Sequence, residues 1–311
     1  CYIFFRSRYG FFVKIASPEK ALQSKVCRIL RDKQDMFFFL FAPKFSGSTV
    51  MSQVIANSVN GYLPSFTNNE GQMVPAVKKI IFAQDRWDPN VDYKWDPIKS
   101  TWLSLLHNSQ KDIFIEASPP NIMRLESIKR NFSEDMTGVI SISSPYMQIT
   151  SAIKKKYHNM VENKKLRSRD QIPEKLIRKA TDSWVLMAKA QRNNVKSNPS
   201  MPLVTYEQFC KNPQKLIKAF CNQAQIQTKS YKPQKISGKK FTGITRIMDM
   251  TCKNLSFLSL KEIEILTKNL KRHRSLLRFF GYQLLTTQDV TAMYEEHMPL
   301  VIDGMHSRLH R

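Results

Sequence analysis

The chain has 311 residues, 42% of them apolar, which suits one large domain with a full core, and its 9 Gly and 15 Pro exclude collagen-like and low-complexity classes. Lys and Arg number 49 against 25 Asp and Glu, a formal charge of +24 that fits an anionic nucleotide, an anionic acceptor, nucleic acid or simply a basic surface. No stretch approaches the roughly 20 apolar residues of a membrane span.

The opening, CYIFFRSRYGFFVKIA, is apolar but broken by Arg6, Arg8 and Lys14. Because position 1 is Cys, we expect a truncated or processed start with any targeting signal missing. Residues 36–42 form an unbroken apolar run bounded by Pro43, the pattern of a strand buried on both faces. A small polar turn follows at 44–49. Apolar residues at Val50, Met51, Val54, Ile55 and Val59 then predict a helix, with Ser48 or Thr49 as its N-cap. Strand, Gly-containing turn and helix N-terminus together build an anion site, because backbone N–H groups and the helix dipole point into the turn.

Residues 61–75 are rich in loop formers. Helix is predicted over 97–107, strand over 112–116, and helix over 121–131 after Pro119-Pro120. A strand follows at 139–143, then a helix with Pro145 near its first position, reaching about residue 160. After a basic loop come a long helix over 173–195, a strand over 202–206 and short helical pieces over 206–211 and 213–223. The segment 229–245 reads as basic and irregular, and 260–280 as one final amphipathic helix. Strands alternating with helices predict a three-layer α/β fold, with a central, mostly parallel sheet covered by helices on both faces. Ligands in such sheets sit at the carboxyl ends of strands, where 44–49 and 143–145 fall.

Cys1, Cys27, Cys210, Cys221 and Cys252 are scattered, with neither metal-ligand spacing nor a disulfide framework, which favours a reducing compartment. Lys and Arg cluster at 154–156, 164–169, 229–240 and 271–274. No helix-turn-helix, zinc-finger or RNA-binding motif accompanies them, so nucleic acid is not expected as the partner. The six His show no pairing with Ser or Cys that suggests a triad.

A nucleotide-kinase phosphate loop would need Gly-x-x-x-x-Gly-Lys-Ser/Thr; here no Gly stands five residues before Gly47, and Ser48 follows it. The turn 43–49, PKFSGST, instead resembles the 5′-phosphosulfate loop of sulfotransferases. Further blocks resemble the same family in the same order, most closely bacterial and algal members related to tyrosylprotein sulfotransferases. They are NEGQ at 69–72, Asp85-Arg86-Trp87, EASPPN at 116–121 with Arg124, ISISSPYMQITSAI at 140–153, LVTYEQFCKNP at 203–213 and FFGYQL near the end. The resemblance spans about residues 36–285, leaving 1–35 as an N-terminal extension and 286–311 as a tail.

The resemblance implies transfer of a sulfuryl group from 3′-phosphoadenosine 5′-phosphosulfate to a hydroxyl or amine, with no metal. Lys44 would neutralise the leaving oxygen, and Ser46, Gly47, Ser48 and Thr49 would cradle the 5′-phosphate. Ser143 and Ser151 would lie at the 3′-phosphate, and Glu70 would take the acceptor's proton. Two positions depart from the family pattern. Phe45 stands where a Lys or Arg precedes Ser-Gly, with Lys44 displaced by one, and Ser143 stands where the family has Arg. A lost charged hydrogen bond costs roughly 1.5–3 kcal/mol. The alternatives are therefore a degenerate relative that binds nucleotide or a sulfated ligand without turnover, or a basic polyanion-binding protein. The acceptor stays open between carbohydrate, peptide tyrosine, lipid and small metabolite. The expected compartment is the cytoplasm, or the Golgi lumen if an N-terminal anchor precedes this sequence.

Overall fold

The computed structural model describes residues 4–6, 12–14, 36–166, 171–224, 247–299, 301, 302 and 305. The basic segment predicted as irregular over 229–245 lies outside them. Strands β1 (Phe4–Arg6) and β2 (Phe12–Lys14) form an antiparallel ribbon. The main sheet contains β3 (Met36–Phe41), β4 (Gly61–Tyr62), β5 (Ile113–Glu116), β6 (Met136–Ile142) and β7 (Leu203–Thr205), in the order β4-β5-β3-β6-β7. Every pairing in it is parallel. The predicted α/β class therefore holds.

The centre of the sheet is written by the run MFFFLF. Side chains alternate across a strand, so Phe38 and Leu40 enter one layer and Phe37, Phe39 and Phe41 the other, all fully buried. Phe38 and Leu40 meet helices α1 (Ser48–Ser58) and, from later in the chain, 213–224. The opposite face packs on α2 (Pro75–Ile81), α3 (Trp95–Asn108) and α4 (Leu125–Phe132), where Phe132 meets both Phe37 and Phe39 edge-on. Beyond β6 a third cluster joins α5 (Pro145–Glu162), α6 (Glu174–Ser197) and the C-terminal helices.

The remaining helices are α7 (Tyr206–Lys211), α8 (Pro213–Ala224), α9 (Thr251–Leu255), α10 (Leu260–Lys271), α11 (Arg274–Phe279) and α12 (Thr287–Glu296). Two predicted helices are corrected, and one unpredicted helix is added. The span 121–131 is split at Arg124, whose backbone leaves the helical region (φ −133°, ψ 23°), into a 3-10 turn and α4. The span 260–280 breaks at His273 (φ −118°, ψ 27°) into α10 and α11. The chain after the loop 61–75 was left unassigned, yet Pro75 opens α2 at its favoured first position. No described helix is long and apolar enough to cross a membrane.

Candidate functional site

The turn after β3 is held by its own backbone. Ser46 is fully buried and directs both its N–H (3.3 Å) and its hydroxyl (2.5 Å) at the Pro43 carbonyl. Phe45 and Gly47 on either side take left-handed conformations, φ 66° and φ 81°. A left-handed Phe is costly, and such strain concentrates at functional turns. At 47 only Gly fits, since a Cβ would stand 2.1 Å from Cε2 of Tyr206. The Gly47 carbonyl accepts from Val50 (3.0 Å) and Met51 (3.1 Å), so α1 starts at Ser48. Gly47 is thus the N-cap, in place of the Ser48 or Thr49 expected from sequence, and no side chain caps the helix. Ser48 and Thr49 occupy the first two helical positions, whose N–H groups have no carbonyl behind them to bond. Free N–H groups at the positive end of a helix dipole suit an anion.

Cations surround this turn. The Lys44 ammonium lies 4.7 Å from the centre of the Trp87 ring, and the Lys155 ammonium, from α5, lies 5.7 Å from that of Phe45. Arg86 stacks on Phe82 at 4.0 Å and donates to Oε1 of Gln72 at 3.3 Å. Burial, then Lys155 and Arg86, hold the pKa of Lys44 below its usual value. Among the described residues, none of the three has a carboxylate within ion-pair distance. Such a group of positive charges suits an anion.

Arg124 holds the loop that presents Arg86 and Trp87. It is 2% exposed, and its guanidinium donates to the carbonyls of Val91, Arg86, Pro120, Asp85 and Asp88 while stacking on Tyr93 at 4.6 Å. The Asp85-Arg86-Trp87 and EASPPN-Arg124 blocks are thus two halves of one structure.

Glu70 follows two left-handed asparagines, Asn68 (φ 57°) and Asn69 (φ 61°), a residue type that tolerates this conformation. Its Oε1 accepts from Asn68 Nδ2 at 3.3 Å. Burial raises its pKa, opposed by that hydrogen bond and by Arg86 and Lys155. Lys44 and Glu70 therefore lie within the fields of the same two cations. The next residues anchor the loop: the Gly71 N–H donates to Oε2 of Glu116 at 2.6 Å, and Trp102 Nε1 donates to the Gly71 carbonyl at 3.2 Å. Glu116 is wholly buried, and its other oxygen accepts from the Ser118 N–H and from Asn121 Nδ2. Burial pushes its pKa up to about 7 against the pull of these donors.

The two serines assigned to the 3′-phosphate sit differently. Ser143 is fully buried and donates to Oε1 of Gln148 at 3.3 Å. Ser151 is half-buried; its hydroxyl donates back to the Met147 carbonyl at 2.8 Å and accepts from Asn254 Nδ2 at 3.0 Å. Close by, Glu207 accepts from the Ser144 N–H and the Tyr282 hydroxyl, both at 2.8 Å, which joins the Tyr206-Glu207 and FFGYQL blocks.

Sequence reasoning did not single out Arg86 and Lys155 as site residues. Arg86 lay inside a quoted block, and Lys155 falls one helical turn after Ser151, on the same face, which was the available signal. No group of His, Cys, Asp and Glu fit to hold a metal occurs among the described residues.

No family model matches this chain, and no curated protein matches it. Solved structures similar to it include the sulfotransferase domain from the curacin biosynthetic pathway, at 15% identity and a TM-score of 0.43 over 85% of this chain and 98% of that one. A sulfotransferase from Alicyclobacillus acidocaldarius matches at 14% identity and 0.42, covering 81% and 97%. A mouse sulfotransferase complexed with PAP matches at 14% and 0.40, covering 89% and 99%.

Proposed function

We propose that this protein moves a sulfuryl group from 3′-phosphoadenosine 5′-phosphosulfate to a hydroxyl acceptor. The observation that carries the reading is the group of Lys44, Arg86 and Lys155 around a strand-turn-helix with free N–H groups, with Glu70 in the fields of two of these cations. The ordered sequence blocks support the same chemistry. Sulfuryl transfer, like phosphoryl transfer, is mostly positioning and charge stabilisation.

In this reading, the N–H groups of Ser48 and Thr49 hold the 5′-phosphate. The acceptor oxygen attacks sulfur as its proton passes to Glu70, and the bond between sulfur and the bridging phosphate oxygen breaks. Lys44 stabilises the charge that develops on that oxygen. A carboxylate whose pKa is raised by burial is a stronger base than a solvated one, which suits the proton step. Lys155 and Arg86 supply the positive charge that Phe45 withholds from the turn. Ser151 lies on the α5 face that carries Lys155 and serves the 3′-phosphate.

The test is calorimetric titration with adenosine 3′,5′-bisphosphate at two salt concentrations, followed by transfer of radiolabelled sulfate to a hydroxyl panel. Salt-sensitive binding with transfer supports the reading. Binding without transfer favours the degenerate relative, which Phe45 and Ser143 motivate. No binding at millimolar nucleotide removes both.

A further inference from the structure

The helix that follows the Glu70 loop carries a surface stripe the reaction above does not use. Pro75, Lys78, Lys79 and Phe82 recur at helical spacing, so they share the outer face of α2 while Val77 and Ile81 enter the core. Across from this stripe stand Phe66, Thr67 and Met73. Together with Ala83 these residues line an open groove of about 610 Å³. That volume suits one drug-sized molecule.

The groove is apolar on its floor and positive at its rim. Phe82 is 43% exposed, unusual for a large aromatic, and two cations cover it: Lys78 at 5.4 Å and Arg86 at 4.0 Å. Among the described residues, neither Lys78 nor Lys79 has a carboxylate within ion-pair distance. The loop that carries the proposed base borders the groove. The Glu70 N–H donates to the carbonyl of Thr67 at 3.3 Å, and Arg86 both stacks on Phe82 and acts on the Glu70 carboxyl.

We propose that this groove holds the acceptor and that the acceptor is a hydroxylated aromatic acid. Its ring would lie against Phe66, Met73 and Phe82, its carboxylate would face Lys78 and Lys79, and its hydroxyl would point along the loop to Glu70. The inference rests on the sulfuryl-transfer reading for the hydroxyl's fate, and on the groove alone for the ring and the carboxylate.

The test compares a hydroxynaphthoate with its methyl ester on the full chain, with binding followed by naphthalene fluorescence so that no turnover is needed. The acid should bind about fivefold or more tighter than the ester, as several exposed charge contacts would give, and the preference should fade with salt. Combining Lys78→Ala with Lys79→Ala should narrow the gap between the two probes to what Arg86 alone sustains, while adenosine 3′,5′-bisphosphate binds unchanged. Phe82→Ala should weaken acid and ester alike. Equal affinity of acid and ester in the wild type, or an undiminished preference in the lysine variant, overturns the proposal. Loss of nucleotide binding with the acid preference intact would instead strike the sulfuryl-transfer reading and leave the groove standing.

Discussion

The Lys155 ammonium stands 5.7 Å from the ring centre of Phe45, so the helix that begins at the end of β6 delivers a cation to the turn at the end of β3, its neighbour in the sheet. In the proposed reading, this cation stands in for the one that Phe45 withholds from the turn. Lys155→Ala should therefore weaken adenosine 3′,5′-bisphosphate binding by about 10-fold or more, the value of a charged hydrogen bond. Lys44→Ala should reduce single-turnover rate more than nucleotide affinity, because its charge matters most as the leaving oxygen gains its own. Unchanged affinity in Lys155→Ala, measured by calorimetry, would remove that residue from the site.

Glu70→Gln should leave nucleotide binding intact and cut transfer by roughly 10²–10⁴. A base works only when ionised, and burial raises the pKa of Glu70. Transfer should thus fall as pH drops through a point above the ordinary carboxylate range. A pH–rate profile on kcat/KM reads this directly, and the Gln variant should lose that limb.

Arg124→Ala removes the guanidinium's bonds to five backbone carbonyls, of which those of Asp85 and Asp88 keep the N–H groups of Asp88 and Val91 as donors, so unfolding free energy should fall by about 3 kcal/mol. Arg124→Lys should recover little, because one ammonium cannot serve the fan of acceptors that a planar guanidinium reaches. Urea unfolding of both variants checks this.

Glu116 makes stability depend on pH in the direction opposite to an ordinary ion-paired carboxylate. Its folded pKa is raised from 4.5 to about 7, so the folded state holds its proton more tightly than the unfolded one. The favourable contribution is complete below the unfolded value and lost as pH rises to about 7. The loss approaches about 3 kcal/mol by linkage. Urea unfolding at pH 5 and pH 8 should show a wild-type decrement that Glu116→Gln lacks, whatever that variant's absolute stability.

Four strands of the sheet were legible, the central one because it is buried on both faces: MFFFLF cannot alternate in polarity when Phe37 and Phe38 face different cores, whereas the half-buried edge strand β4 fell inside the stretch read as loop. The helix after β6 was legible from Pro145 at its start. The breaks at Arg124 and His273 were hidden, since neither Pro nor Gly marks them and Arg124 leaves helical geometry to satisfy carbonyls from a distant loop. The turn with Lys44 and the Glu70 loop were visible as local patterns. Arg86 and Lys155 were not visible as partners of that turn, because their meeting depends on a loop anchored by Arg124 and on which helix face meets the cleft. Among 49 basic residues, the one-turn spacing of Lys155 from Ser151 and the place of Arg86 in its block were the local signals, and neither says that the two meet this turn.

Gly47 touches the ring of Tyr206, the first residue after the edge strand β7, and that ring occupies the space a side chain at 47 would need. This turn is thus closed from behind by a residue made much later in synthesis. A nascent chain that has completed β3, β4, β5 and β6 still lacks the wall against which the turn is shaped. In the proposed reading, competence to bind an anion there arrives late and abruptly, with the docking of β7 and α7, so a ribosome-bound fragment ending before residue 203 should not bind adenosine 3′,5′-bisphosphate.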